Sequence, residues 1–311
     1  VFLGDGFDAE NISNGDYLRV MNEQMERFFD IEPYHTYRDY FNVSTAIAVS
    51  PESGIGTVNT IRNTKFETTF TGEVGLRGNY STIFNYAMEV SPVDESNLNQ
   101  SLIIVTPNTI DYGGITEMWT DGSAIAFCPL SEDSYPYDAR GIIQHEAGGH
   151  GFGKLGDEYI YHNTFIDFCD CTCCEHVFEF NIAKSLGWYE NLSLTGKMHE
   201  VPWSHLIFDD RYSDVVDIYE GGFMHARGVF RSEQNSCMNN NISYYNAISR
   251  EAIVKRIMEY AGESYSFEKF VENDKRDAVN SLSRSAERPG VTVRGNQYAP
   301  RIHKGKPDIL K

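Results

Sequence analysis

Residues 138–155 read DARGIIQHEAGGHGFGKL and continue through Gly156, Asp157, Glu158 and Tyr159. Asp138 is a good helix N-cap, since its carboxylate can accept from a free amide of the first turn, and Ile142, Ile143 and Ala147 offer an apolar face. The stretch therefore predicts a helix carrying His145, Glu146 and His150. In a helical H-E-x-x-H, histidines four apart share one face and chelate zinc, while the adjoining glutamate reaches the water on the metal. Here three residues, Ala147, Gly148 and Gly149, separate Glu146 from His150. Positions five apart in a regular α-helix differ by roughly 140° about the axis, too far for both rings to meet one ion. The spacing predicts a widened turn with an i to i+5 hydrogen bond, which Gly148 and Gly149 accommodate because they lack Cβ. The glycine-bearing stretch after His150 would end the helix and return a carboxylate to the same metal. Asp157 and Glu158 both offer that carboxylate, and His162, five residues after Asp157, is a further alternative.

Upstream, ITEMW (115–119) and AIAFCPL (124–130) flank TDGS, and a D-G pair between two strand-like runs predicts a hairpin. Its second arm is expected to offer an edge to an extended substrate. The run SLIIVTP (101–107) predicts a buried central strand, and VFLGDGF (1–7) a buried strand closed by a turn. Between them, GDYLRVMNEQMERFFD (15–30) places Leu18, Met21, Met25 and Phe28 on one face of an amphipathic helix. Residues 55–75, rich in Thr and Gly, fit either strands or a long surface loop. A last helix is predicted over 247–261, with Ile248, Ala252, Ile253, Ile257 and Met258 in register. The closing YAPRIHKGKPDIL has no helical period and is expected to wrap the surface. The class is α/β rather than α+β, a twisted mixed sheet with the histidine-bearing helix.

With 41% hydrophobic and 23% charged residues over 311 positions, the chain is an ordinary globular one able to bury a sizeable core. No linker, repeat or low-complexity tract divides it, so one catalytic domain with two lobes, 1–157 and 158–311, is expected. A net charge of -19 argues against a nucleic-acid partner, because the field would repel phosphate. No run approaches the ~18 apolar residues of a membrane span. No charged-then-apolar leader precedes Val1, as expected if a targeting segment or upstream domain has been removed. Six cysteines include Cys169, Cys171, Cys173 and Cys174 in one run, with Cys128 and Cys237 elsewhere. Disulfides, at least one joining the run to a partner outside it, are preferred to a second structural metal site, because C-x-C-x-C-C lacks two separated C-x-x-C knuckles.

HEAGGHGFGKLGDEY (145–159) resembles the active-site stretch of the IgA-peptidase family, secreted bacterial zinc metallo-endopeptidases of metzincin-like type. Ser236-Cys237-Met238 is similar to the S-x-M of a metzincin Met-turn, and the helix from 247 follows it as it would there. The opening VFLGDGF also fits. Two departures from the ordinary metzincin form stand out: the extra residue before His150, and a carboxylate seven rather than six residues after it. The resemblance implies a metzincin-like peptidase domain whose C-terminal lobe carries the Met-turn and terminal helix, with one catalytic Zn2+ per chain. It makes His145, His150 and Asp157 the ligands, Glu146 the general base and Met238 the floor beneath the metal. Tyr159, Tyr244 and Tyr245 are candidates to donate a hydrogen bond to the oxyanion, although packing is the ordinary role of any one of 19 tyrosines. The implied activity is hydrolysis of protein or peptide substrates outside the cell, immunoglobulin A or another mucosal protein among them. The alternatives are a zinc amidase acting on cell-wall peptide or glycoprotein, and an inactive surface-binding protein with a structural zinc site.

Overall fold

The apolar run at 102–107 lies in the middle of a six-stranded sheet in a computed structural model of the chain, which describes residues 1–72, 74–90, 92–167, 173–275 and 299–309, the side chains of 173–175 excepted. Contacts divide these residues into two units: Val1–Asp30 and Phe41–Phe152 with the final strand, and Ile31–Tyr40 with the described residues of 153–275. In the first unit the strands are β1 (Phe2–Asp5), β2 (Thr45–Ala46), the antiparallel pair β3 (Thr69–Phe70) and β4 (Leu76–Arg77), β5 (Leu102–Pro107), β6 (Ile115–Trp119) and β7 (Ala124–Phe127). A further strand, Arg301–His303, closes the sheet, whose order is Arg301–His303, β6, β7, β5, β1, β2. All pairings are parallel except β6 with β7. Strands β5 and β7 are continuous apolar runs because helices and loops cover both faces, as parallel sheets require. Ile103, Val105, Ile125 and Phe127 form one core with Ile83, Phe84 and Trp119.

The predicted hairpin is present, with Ile115 opposite Phe127 across β6 and β7. Its second arm is not an edge. Strand β7 pairs with β5 on its other side, and β6 pairs with Arg301–His303. The closing segment thus contributes a strand instead of wrapping the surface. Its hold is electrostatic as well as through the ladder: the buried Glu117 carboxylate lies 2.7 Å from His303 Nε2 and 3.3 Å from Arg301. A three-residue strand carries too little period to be read from sequence.

Helix α1 (Ala9–Ser13) is capped by Asp8, and α2 (Asp16–Phe29) follows it. The buried face of α2 is Tyr17, Val20, Met21, Gln24 and Phe28, while Leu18 is 48% exposed. Leu18 was therefore placed on the wrong face, and the reason is Gln24. This polar residue is buried because its amide donates to the Cys128 carbonyl at 3.1 Å, which rotates the inward face away from Leu18. Helix α3 (Tyr80–Met88) packs Ile83, Phe84 and Ala87 inward. Helix α4 (Ala139–Ile143) starts at Asp138, whose carboxylate accepts from Gly141 N at 2.9 Å.

The second unit holds β8 (Ile160–Phe165), α5 (Cys173–Ser185), β9 (Leu192–Ser193), α6 (Ser204–Ile207), β10 (Tyr219–Gly222) and β11 (Met224–Arg231). It continues with α7 (Cys237–Asn240), α8 (Ala247–Tyr260) and α9 (Phe267–Asn273). Strand β11 pairs with β10 and β9 antiparallel and with β8 parallel. The five apolar positions expected to face inward on α8 are all buried, but so is Arg250. Arg250 is compensated by Asp274, at 2.7 and 2.9 Å, and by the Tyr245 carbonyl at 2.6 Å. Helix α9, capped by Ser266, was not anticipated because its seven residues give no sustained period. Cys128 and Cys237 are both buried, and neither forms a disulfide among the described residues. The disulfide reading of Cys169 to Cys174 itself falls outside the described residues.

Asp5 ends β1 with a fully buried carboxylate that accepts from Thr64 Oγ1 (2.8 Å), Ser50 Oγ (3.1 Å), Phe66 N (3.0 Å) and Thr68 N (2.9 Å). One carboxylate thus ties the irregular 50–68 chain to the sheet. Asp5→Asn replaces an acceptor-only group by one with its own donors, and unsatisfied buried donors cost about 1–3 kcal/mol each. Urea unfolding should show at least that loss; stability within about 0.5 kcal/mol of wild type, the range of a surface change, would contradict this role.

Glu233 makes a second buried carboxylate site, accepting from Ala247 N at 2.8 Å and from the Tyr244 hydroxyl. Burial pushes its carboxyl up from 4.5 to about 7, against the opposing pull of Arg250 and these hydrogen bonds. Folded protein then keeps a proton that the unfolded chain has released. Its stabilising contribution is complete below about pH 4.5 and is lost as pH rises through about 7. Wild type is expected to lose on the order of 3 kcal/mol or less between pH 4.5 and 8 that Glu233→Gln does not lose. Parallel stability curves for the two proteins would show that Glu233 is not the group responsible.

Candidate metal centre

Gln144–Phe152 is a π-helix continuing directly from α4. The widened turn demanded by the five-residue spacing is therefore present, and it is anchored at both ends. Gln144, fully buried, donates from its amide to the carbonyls of Arg27 and Asp30 at 3.0 and 3.1 Å, satisfying the C-terminal end of α2. Gly151 lies where a Cβ would meet Leu102 Cδ1 at 2.5 Å, so a larger residue here would have to displace the end of the Leu102 side chain on β5. With the turn widened, the Nε2 atoms of His145 and His150 face each other 3.1 Å apart, and their ring centroids are 4.8 Å apart. On one tetrahedral zinc with Zn–N near 2.0–2.1 Å, two imidazole nitrogens stand about 3.3 Å apart. The pair fits such an ion with little movement.

The third candidate donor is Asp157. Donor atoms of His145, His150 and Asp157 all lie within 4.8 Å of one another, and all three residues are buried. Among the described residues no other group of three metal-ligating side chains is this close. Two imidazoles and a carboxylate make a mixed nitrogen and oxygen set that suits zinc, and three protein ligands leave a coordination position open. The donor chemistry and spacing thus fit a catalytic divalent metal.

What places Asp157 is the backbone on either side of it. Asn191 clamps Gly156 by accepting from its N–H at 2.9 Å and donating to its carbonyl at 2.8 Å. The Asp157 carbonyl accepts from Phe223 N at 2.8 Å, Glu158 N donates to the Met238 carbonyl at 2.7 Å, and the Tyr159 carbonyl accepts from Met224 N at 3.0 Å. Glu158 is thereby turned the other way. Its buried carboxylate accepts from Asn191 (2.8 Å), Asn246 (2.7 Å) and Ser236, and burial raises its carboxyl above the ordinary range despite these bonds. Glu158 lies outside the group of three and is the knot joining the Asp157 segment to the S-C-M turn and the N-cap of α8. Met238 is fully buried at that knot.

Glu146 is partly exposed beside the histidines. The Thr116 hydroxyl on β6 lies 2.8 Å from its Oε2 and 2.9 Å from its backbone carbonyl. A Cβ on Gly114 would meet Glu146 Cγ at 3.0 Å and Oε1 at 3.2 Å, so a glycine here leaves the side chain its room. Thr116 and Gly114 were not singled out from sequence. A hydroxyl on a strand-like arm, two residues after the G-G at 113–114, was the available signal.

Of the three tyrosines, Tyr244 is buried with its hydroxyl given to Glu233, and Tyr245 is buried with its ring edge-on to Tyr34. Tyr159 is buried two residues after Asp157, its ring against Tyr161. His162, the remaining alternative ligand, is exposed and lies beside His225, outside the group of three. Burial, with the imidazoles of His176 and His162 adding to it, lowers His225 to about 4.

Among the described residues no helix is long and apolar enough to cross a membrane. No curated protein gives a match to the chain. The model of the IgA Peptidase M64 family matches residues 1–184, more than half of the 311 and the whole of the segment that carries His145, Glu146, His150 and Asp157. The chain belongs to the IgA Peptidase M64 family and is a peptidase.

Proposed function

We propose that the chain is a zinc-dependent endopeptidase of metzincin-like type that cleaves extracellular proteins, with His145, His150 and Asp157 holding one catalytic zinc and Glu146 as general base. The observation that carries this reading is the convergence of the three buried donors within 4.8 Å, next to a partly exposed glutamate. Bound there, zinc supplies Lewis-acid chemistry, polarising a carbonyl oxygen and bringing the pKa of water down to about 7. Glu146 takes the proton from the attacking water as its oxygen bonds to the scissile carbonyl carbon. The same carboxyl then delivers that proton to the departing amine nitrogen as the C–N bond breaks. The Thr116 hydroxyl holds Oε2 during this exchange, leaving the second oxygen for the proton.

Met238 is assigned a supporting role, as the buried residue whose carbonyl holds the amide following Asp157. We assign no oxyanion role to Tyr244, whose hydroxyl is committed to Glu233, and retain Tyr159 and Tyr245 as candidate donors. The family name points to immunoglobulin A as a substrate to try first, and an extracellular substrate implies a secreted or surface-exposed enzyme.

Glu146→Gln keeps the shape and the hydrogen bond from Thr116 but removes the base. Turnover of a peptide substrate is expected to fall by roughly 10²–10⁴-fold while zinc content stays at the wild-type level. Near-normal proteolysis by this variant would exclude Glu146 as the base; loss of zinc with it would recast Glu146 as a ligand.

A further inference from the structure

Three histidines that the catalytic centre does not use gather in the second unit. Parallel pairing of β8 with β11 sets His162 opposite His225, and directly opposed residues project to one side of a sheet. Their ring centroids are 5.6 Å apart. Helix α5 brings a third imidazole to the same ring: His176 Nδ1 lies 2.9 Å from His225 Nε2, with centroids 5.2 Å apart. The other nitrogen of His225, Nδ1, is 3.2 Å from the Thr164 hydroxyl. That outer partner is what a metal-ligating histidine uses to fix its tautomer and orientation.

The arrangement repeats the geometry of the pair on the π-helix, where the facing nitrogens are 3.1 Å and the centroids 4.8 Å apart. A single N–H···N hydrogen bond would account for His176 and His225 alone. It gives no part to the third imidazole on the neighbouring strand. We propose that His162, His176 and His225 form a second metal site, taking zinc or another divalent transition ion that favours imidazole. His176 and His225 already face one another at near-ligand spacing. His162 is exposed, so its ring is free to turn and complete a three-nitrogen set. The three ligands come from β8, β11 and α5, so the ion would cross-link a helix to a strand pair and act structurally.

Counting zinc per chain tests this without reference to activity. The full chain is loaded with zinc, dialysed against metal-free buffer, and analysed by elemental mass spectrometry alongside His176→Ala, His162→Ala and His150→Ala. Wild type should retain two ions and His176→Ala one. His162→Ala, altered only at an exposed side chain, should fold normally and release its second ion at least tenfold more readily into a competing chelator. Added zinc should raise the Tm of metal-stripped His150→Ala and should not raise that of the double variant His150→Ala, His176→Ala. One ion in wild type, or two held equally firmly by both His176→Ala and His162→Ala, would overturn the proposal. Zinc loss in His150→Ala reports on the catalytic centre separately, so failure of either site is distinguishable from failure of the other.

Discussion

His145 and His150 stand five residues apart, and two imidazoles at that spacing can share a cation only if the backbone between them leaves the α-helical path. The π-helix over Gln144–Phe152 meets that constraint, and much of the first unit is arranged to hold it. A π turn is less favourable than an α turn, so it persists where its ends and faces are fixed by other contacts. Gln144 fixes one end against the carbonyls of Arg27 and Asp30, and Gly151 lets the other press against Leu102 on β5. The buried strands β5 and β7 supply the rigid surface behind it. Glu146 is held in turn by Thr116, from the strand next to β7.

Asp157 depends on a different device. It sits in an extended stretch whose neighbours on both sides are hydrogen-bonded to separate elements, so the ligand is placed by backbone contacts and not by its own helix. Glu158 is the centre of that device. A fully buried carboxylate with three side-chain donors is costly to desolvate unless all its partners are in place. Folding of the loop bearing Asn191, the turn bearing Ser236 and the cap of α8 at Asn246 is thereby coupled to the position of Asp157. Three donors hold both oxygens of Glu158, adjacent to Asp157 and chemically equivalent to it, and it lies outside the group that Asp157 forms with the two histidines.

Most of this was legible in the sequence where a local rule applied. The Asp138 cap, the D-G hairpin, the buried runs at 1–7 and 101–107 and the need for a π turn each follow from one short stretch and a steric or hydrogen-bonding requirement. The failures share a cause of the opposite kind. Leu18 was misplaced because Gln24 is made core-compatible by a carbonyl distant in sequence, that of Cys128. The Arg301–His303 strand was missed because its place is fixed by Glu117 and by pairing with β6, neither of which leaves a mark on a three-residue segment. Glu158 could not be told from Asp157 as a ligand, since what separates them is a set of partners at 191, 236 and 246. Local chemistry is readable from a window of sequence; long-range partners that rescue a polar group are not.

The central claim is that His145 and His150, aligned by the widened turn, bind one ion together with Asp157. Anomalous diffraction at the zinc edge from crystals of zinc-loaded protein tests it directly. The account predicts a peak about 2.0–2.2 Å from His145 Nε2, His150 Nε2 and an Asp157 carboxylate oxygen, with the i to i+5 bonds of 144–152 retained. A peak ligated by Glu158 in place of Asp157, or a regular α-helix through 145–150 with both histidines still on the ion, would contradict it.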